Sequence, residues 1–228
     1  MQIKKVRRDC CHQIDSSDLV VVIDVIRAFT TAAFAFLHGA EKIILVSGVD
    51  EAFLLQKKYP QALLMGEQSG VPVEGFHFGN SPVDIMNGQI KGRTLIQRTS
   101  SGTQGVVSSQ HADIILTASF VNAEATLKHI RALNPQRVTF VITCMTKGGD
   151  EDLALADYLE KRLLNENVDT DAYLQRVVDS AIGKAFLSGD FAHFPKADLE
   201  ACLRIDTVPL ACQVFREAGE LTLRAIQI

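Results

Sequence analysis

Five short stretches of this sequence carry the residue types that chemistry needs. They are Asp24 with Arg27; Gly66-Glu67; Arg98-Thr99-Ser100-Ser101-Gly102-Thr103; the turn 118–122, which ends in Asn122; and 144–152, which holds Lys147, Glu151 and Asp152. Each follows an apolar run with strand composition, and in open α/β sheets ligands bind beyond the carboxyl ends of the strands. Together the stretches offer carboxylates, arginines, hydroxyls and glycines. Such a set suits an anionic ligand and a hard divalent cation, which takes oxygen ligands.

Asp24 ends the β-branched run Leu19-Val20-Val21-Val22-Ile23. A carboxylate there is costly unless it caps a helix, pairs with a cation or binds metal. It can cap a helix starting near Arg27. It can also act as a magnesium ligand or phosphate-site acid while Arg27 holds an anion, and both readings can hold together. The run from Arg98 to Thr103 opens a helix, and hydroxyls, glycine and free amides there make a phosphate cradle or an ordinary capped turn. Glu67 sits among glycines in Gly66-Glu67-Gln68-Ser69-Gly70, either solvated or functional. Glu151 and Asp152 either ligate magnesium or favour the positive end of the helix they begin.

Several mechanisms fail on spacing. No Gly-Lys-Ser/Thr follows a glycine as a phosphate-binding loop requires, and no dinucleotide-binding glycine triplet or Gly-x-Ser-x-Gly elbow is present. A haloacid-dehalogenase site needs an Asp two residues after Asp24, where Ile26 stands. A cysteine phosphatase needs Arg six residues after its Cys; those places hold Ser16, Ser17, Asp150, Val208 and Ala218. Cys10-Cys11-His12 lacks the spacer that lets two thiolates reach one ion, and no two histidines have the i, i+4 spacing of a helical metal pair. Metal-assisted attack by water remains, or a nucleophile among the hydroxyls and carboxylates.

The elements that must position these residues read as a single α/β domain over 1–228. With 47% hydrophobic residues the chain is expected to fold rather than stay disordered. Its 23 Lys+Arg against 27 Asp+Glu give no basic excess, so no nucleic-acid partner is expected. No apolar run approaches the roughly 20 residues that span a bilayer. The basic N-terminus lacks an apolar region after it, and the five scattered cysteines read as reduced thiols. A cytoplasmic protein without membrane partners is expected.

Strands are predicted at 19–23, 42–46, 62–65, 94–97, 113–116 and 137–143. Helices are predicted at 28–37, 50–58 with Asp50 as cap, 102–109, 121–133, 152–164 and 170–187, with a short one opening at Ser81-Pro82. Residues 66–79 read as a long loop. The runs 212–217 and 220–226 across Ala218-Gly219 read as a hairpin. The expected fold is three-layer α/β/α with a mostly parallel or mixed sheet and a C-terminal β-hairpin elaboration. Apolar positions in the hairpin and late helices suit core or a dimer face, and a homodimer is expected.

The segments taken together resemble the 2-phosphosulfolactate phosphatase family. Asp24-Val25-Ile26-Arg27-Ala28-Phe29-Thr30-Thr31 looks like its opening motif, and Gly66-Glu67 with Gly79-Asn80-Ser81-Pro82 resembles its Gly-Glu and Gly-Asn-Ser-Pro loop. Thr99-Ser100-Ser101-Gly102-Thr103 stands where the family has Thr-Thr-Asn-Gly-Thr. Ser119 to Ala123, Glu151-Asp152 and the tail with Asp198, Asp206 and Val208-Pro209 are similar as well. The resemblance implies a magnesium-dependent hydrolase of (2R)-phospho-3-sulfolactate, of the kind that serves coenzyme M formation. Asp24, Glu67 and Arg27 would be catalytic, and Asp24, Glu67, Glu151 and Asp152 would hold the metal. Thr30, Asn80, Ser81, Arg98, Ser101, Gly102, Thr103, Asn122 and Lys147 would bind the substrate, a small phosphorylated anion. Alternatives are a phosphatase for another small phosphorylated hydroxy acid and a non-catalytic anion-binding protein of the same fold.

Overall fold

The run Leu19–Ile23 forms a strand, β2, in which every residue is buried, as β-branched residues covered on both faces should be. The computed structural model describes residues 1–16, 19–143 and 150–228. In chain order the strands are β1 (Gln2–Arg7), β2, β3 (Lys42–Val46), β4 (Leu63–Gln68), β5 (Val71–Pro72), β6 (Thr94–Arg98), β7 (Ile114–Ala118), β8 (Arg137–Ile142), β9 (Leu210–Glu217) and β10 (Glu220–Gln227). The helices are α1 (Ala28–Leu37), α2 (Val49–Lys58), α3 (Pro82–Asn87), α4 (Gly102–Ser108), α5 (Ala123–Leu133), α6 (Glu151–Leu163), α7 (Thr170–Asp179), α8 (Ala181–Ser188) and α9 (Lys196–Cys202). A 3₁₀ turn, Arg8–Gln13, follows β1.

The strands form one mixed sheet in the order β1-β8-β2-β7-β9-β10-β3-β6-β4-β5. Alternation sorts its side chains between two layers of helices. Val20, Val22, Ile43 and Leu45 pack with α1, α3 and α4. Leu19, Val21 and Ile23 face α5 and α6, and Ile44 and Val46 face α2. Each such side chain, fully buried, contributes on the order of 1.5–3 kcal/mol.

The C-terminal hairpin does not hang from the edge. β9 pairs antiparallel with β7 and β10 antiparallel with β3, so the hairpin joins two parallel blocks. Its alternating apolar residues Leu210, Cys212, Val214 and Leu223 are core. The pairing sense makes the two blocks run oppositely along the sheet, yet residues following β2 and β8 meet residues of β4 and following β6 in one cavity. The sheet coils, as accumulated strand twist allows, around α1. That helix is buried on all sides from Ala28 to Phe36 and packs on β7, β9 and β10.

Three expectations change. The basic N-terminus is strand β1, an edge partner of β8 in which only Val6 is buried and Lys5 pairs with Asp157 and Glu160 of α6. Helix α2 is capped two residues before the expected cap: Gly48 takes the place of Asp50, and Glu51 Oε2 accepts from the Ser47 and Gly48 amides. The long helix over 170–187 is two helices. Ser180 ends α7 in extended backbone and caps α8 by accepting from the Gly183 amide at 3.0 Å. Gly183 is required there, since a Cβ would lie 2.2 Å from the Val177 carbonyl oxygen.

Candidate active site

Helix α1 begins because Asp24 lets it begin. Asp24 Oδ1 accepts from the Ala28 amide at 3.0 Å, satisfying one of the orphan donors of the first turn. The carboxylate is only 4% exposed, and it lines a cavity of about 350 Å³. Asp24 therefore supports the start of the helix and lines the cavity at once. Gly102 packs against it: a Cβ there would come within 2.9 Å of Asp24 Oδ2 and 2.7 Å of Ala28 Cβ. Glycine at 102 makes room for the carboxylate.

Three more carboxylates line the same cavity: Glu67, Glu151 and Asp152. Asp152 Oδ1 accepts from the Val25 amide at 2.8 Å and Oδ2 from Thr143 Oγ1 at 3.0 Å, which ties the start of α6 to the ends of β2 and β8. Glu67 spans two loops, with Oε1 accepting from the Ser100 amide and Oε2 from the Gly70 amide, both at 2.6 Å. Burial, then the charges of Asp152 and Glu67, push Asp24 up to about 8, against the opposing hydrogen bonds from Ala28 and Thr143.

The cationic side is built by the C-terminal helices. Arg27 Nη1 donates to Asp198 Oδ2 at 2.6 Å, and Asp198 is fully buried. The Arg27 guanidinium lies 5.0 Å from the Phe186 ring centroid and 5.7 Å from that of Phe194, so two aromatic faces and a carboxylate fix it. Ile182, Phe186 and Phe194 form the apolar wall. Asn80, 6% exposed, lines the cavity with a side-chain oxygen that finds no hydrogen-bond donor among the described residues.

Of the residues predicted from sequence, Asp24, Arg27, Glu67, Asn80, Ser101, Glu151 and Asp152 line the cavity. Six others are not among its lining residues. Thr30 Oγ1 donates to the Val25 carbonyl, and Ser81 Oγ donates to Asp198 while capping α3. Gly102 lies beneath Asp24, and Thr103 closes the turn by donating to the Thr99 carbonyl. Asn122 Oδ1 accepts from the Ser119 amide, in a turn that contributes no lining residue. Arg98, expected to hold the anion, instead donates to the Glu67 carbonyl at 2.8 Å and to the Ser47 carbonyl. The amide cradle expected at 98–103 is largely spent, because the Ser100 amide holds Glu67 and the Thr99 amide holds Thr103. Lys147 lies outside the described residues.

Sequence reasoning missed Arg8, Thr143, Phe186 and Phe194 as lining residues, and Asp198 as the partner of Arg27. For Arg8 a signal existed. It follows a strand as Asp24 does, and reading β1 would have found it.

The donor set tests the magnesium expectation. Among the described residues no three His, Cys, Asp or Glu side chains are grouped into a cage that could hold a metal ion. Magnesium seldom uses one, being bound through one or two carboxylates plus substrate phosphate and water. Buried carboxylates whose mutual repulsion raises Asp24 favour any cation that relieves it. Their carboxylate oxygens are donors of the kind a hard divalent ion takes.

Comparison with known proteins now adds to the geometry. A model of the 2-phosphosulpholactate phosphatase family matches residues 6–214. The chain belongs to that family. Among its relatives is a probable 2-phosphosulfolactate phosphatase of Bacillus subtilis (strain 168), 32% identical over 218 residues, covering 95% of this chain and 96% of the relative. A probable 2-phosphosulfolactate phosphatase of Caldicellulosiruptor saccharolyticus is 32% identical over 212 residues, 85% of this chain and 87% of its own. One of Carboxydothermus hydrogenoformans is 41% identical over a shorter stretch of 139 residues, 61% of this chain and 56% of its own. The family match spans every described lining residue of the cavity.

Proposed function

We propose that the protein is a magnesium-dependent phosphatase that hydrolyses (2R)-2-phospho-3-sulfolactate to 3-sulfolactate and phosphate, a reaction suited to coenzyme M formation. The observation that carries this reading is the set of four buried carboxylates, Asp24, Glu67, Glu151 and Asp152, lining one small cavity with Arg27 in a chain of this family. Asp24 and Asp152, the two carboxylates that act most strongly on each other, would hold magnesium together with substrate phosphate, and the ion when bound supplies Lewis-acid stabilisation of phosphoryl charge.

The chain's own residues do the remaining work. Glu67 is held rigidly by two amides and serves as the proton acceptor for the attacking water, a role that needs a positioned base. Arg27, locked by Asp198 and the two phenylalanine rings, presents a fixed cation to an anionic substrate. Preorganised charge of this kind costs no reorganisation during reaction. The Asn80 amide and the Ser101 hydroxyl supply polar contacts on the lining. Ile182, Phe186 and Phe194 exclude water, which strengthens every charge interaction inside.

The test is product analysis by phosphorus and proton NMR. With magnesium, phosphate and 3-sulfolactate should appear one to one, and chelation should stop the reaction. No turnover at any magnesium concentration overturns the reading. Equal kcat/KM for phospholactate or phosphoglycolate would assign a broader class of phosphorylated hydroxy acids instead.

A further inference from the structure

Arg8 is a cation that the phosphatase chemistry above does not use. It follows edge strand β1, opens the 3₁₀ turn Arg8–Gln13, and reaches the cavity wall. Its Nη1 donates to the Ser100 carbonyl at 2.6 Å. Ser100 is thus gripped from two sides, with its amide on Glu67 and its carbonyl on Arg8. Among the described residues two arginines line the cavity. Arg27 is paired with Asp198, whereas Arg8 makes no ion pair among the described residues. A guanidinium has five donors, and one hydrogen bond leaves most of the fork unused. The fork suits oxyanions with two acceptors side by side.

We propose that Arg8 is a specificity-determining residue that binds an acid group of the substrate other than the phosphate being transferred. This rests on the phosphatase reading. The transferred phosphate belongs among the carboxylates, where magnesium and Glu67 act. A second oxyanion on a three-carbon substrate falls within the same small cavity and needs a cation not already paired, and Arg8 supplies it. The hydrogen bond to Ser100 fixes the fork against the loop that also holds Glu67, so the remote anion and the base are set relative to each other. Binding energy from such a non-reacting group is what orients the reacting one.

The test compares wild type with R8A and R8K on three monoesters: 2-phospho-3-sulfolactate, 2-phospholactate and isopropyl phosphate. The ratio of kcat/KM for phosphosulfolactate to that for isopropyl phosphate should fall about 100-fold in R8A, with partial recovery in R8K, which keeps a charge and a donor but loses the fork. If phospholactate falls together with phosphosulfolactate, Arg8 holds the carboxylate. If phosphosulfolactate falls alone, Arg8 holds the sulfonate. A ratio that stays unchanged in both variants overturns the proposal. Calorimetry with 3-sulfolactate gives a readout independent of turnover. Wild type that hydrolyses nothing yet binds sulfolactate through Arg8 would sink the phosphatase reading and keep Arg8 as an anion-binding residue. Equal binding by wild type and by folded R8K and R8A would sink the role of Arg8.

Discussion

Replacing Asp24 by asparagine in metal-free protein changes one charge and little else. The amide keeps an oxygen that can accept from the Ala28 amide, so the start of α1 survives. In the native protein, burial and the neighbouring Asp152 and Glu67 raise Asp24 from 3.8 to about 8. At 1.36 kcal/mol per pH unit, the ionised form is disfavoured by at most roughly 6 kcal/mol relative to the unfolded chain. The sign follows from proton binding. Between pH 4 and 8 the folded state holds a proton that the unfolded state has lost, so stability is greatest below the unfolded value and is lost as pH rises through the folded one. Sharing of charge among the neighbouring carboxylates reduces the effect. From pH 5 to 8 metal-free wild type should lose about 2–4 kcal/mol through this group, and D24N should not. Urea unfolding in the presence of a chelator at pH 5, 6.5 and 8 measures the difference. D24N should gain on wild type as pH rises. Parallel profiles, or a gap that widens towards acid, would refute the argument that Asp24 is buried among anions.

Three further outcomes follow from the packing of the site and the core. D198N should cost roughly 3–5 kcal/mol, because Arg27 would be left buried without its counter-charge; thermal melts check it, and a loss under 1 kcal/mol would show that the pair is dispensable. G102A forces a Cβ to within 2.7 Å of Ala28 and 2.9 Å of Asp24. It should destabilise by about 1–3 kcal/mol and weaken magnesium binding by displacing Asp24, whereas unchanged affinity by calorimetry would contradict the placement of Gly102. Burial pushes the Cys202 and Cys212 thiols up to about 12. At pH 8 about one in ten thousand would be thiolate, so mass spectrometry should find neither alkylated until the protein is unfolded.

Much of the site was legible because carboxylates at strand ends are costly. Asp24 after Leu19–Ile23 and Asp152 at the start of α6 stand out for that reason, and both line the cavity. Arg98 misled because an arginine after a strand has two uses. Here backbone carbonyls of Ser47 and Glu67, exposed by loops distant in sequence, take its donors. The aromatic wall was illegible because Phe186 and Phe194 reach Arg27 only after Ser180 breaks the helix, a tertiary outcome of the close approach of Gly183 to Val177. Strand β1 was hidden by its lysines: Lys5 leaves the edge to pair with α6, and Lys4 donates to the Gln13 carbonyl. The strand list therefore came out nearly complete, while the order of the sheet, with the last hairpin at its centre, did not.

The central claim is that phosphoester cleavage happens at the carboxylate cavity around Asp24. Phosphate release from 2-phospho-3-sulfolactate by wild type and D24N, both with saturating magnesium and both confirmed folded by melting, tests it most directly. The account predicts steady release by wild type and a loss of about 1,000-fold or more in kcat/KM for D24N. Release by D24N at the wild-type rate would contradict it.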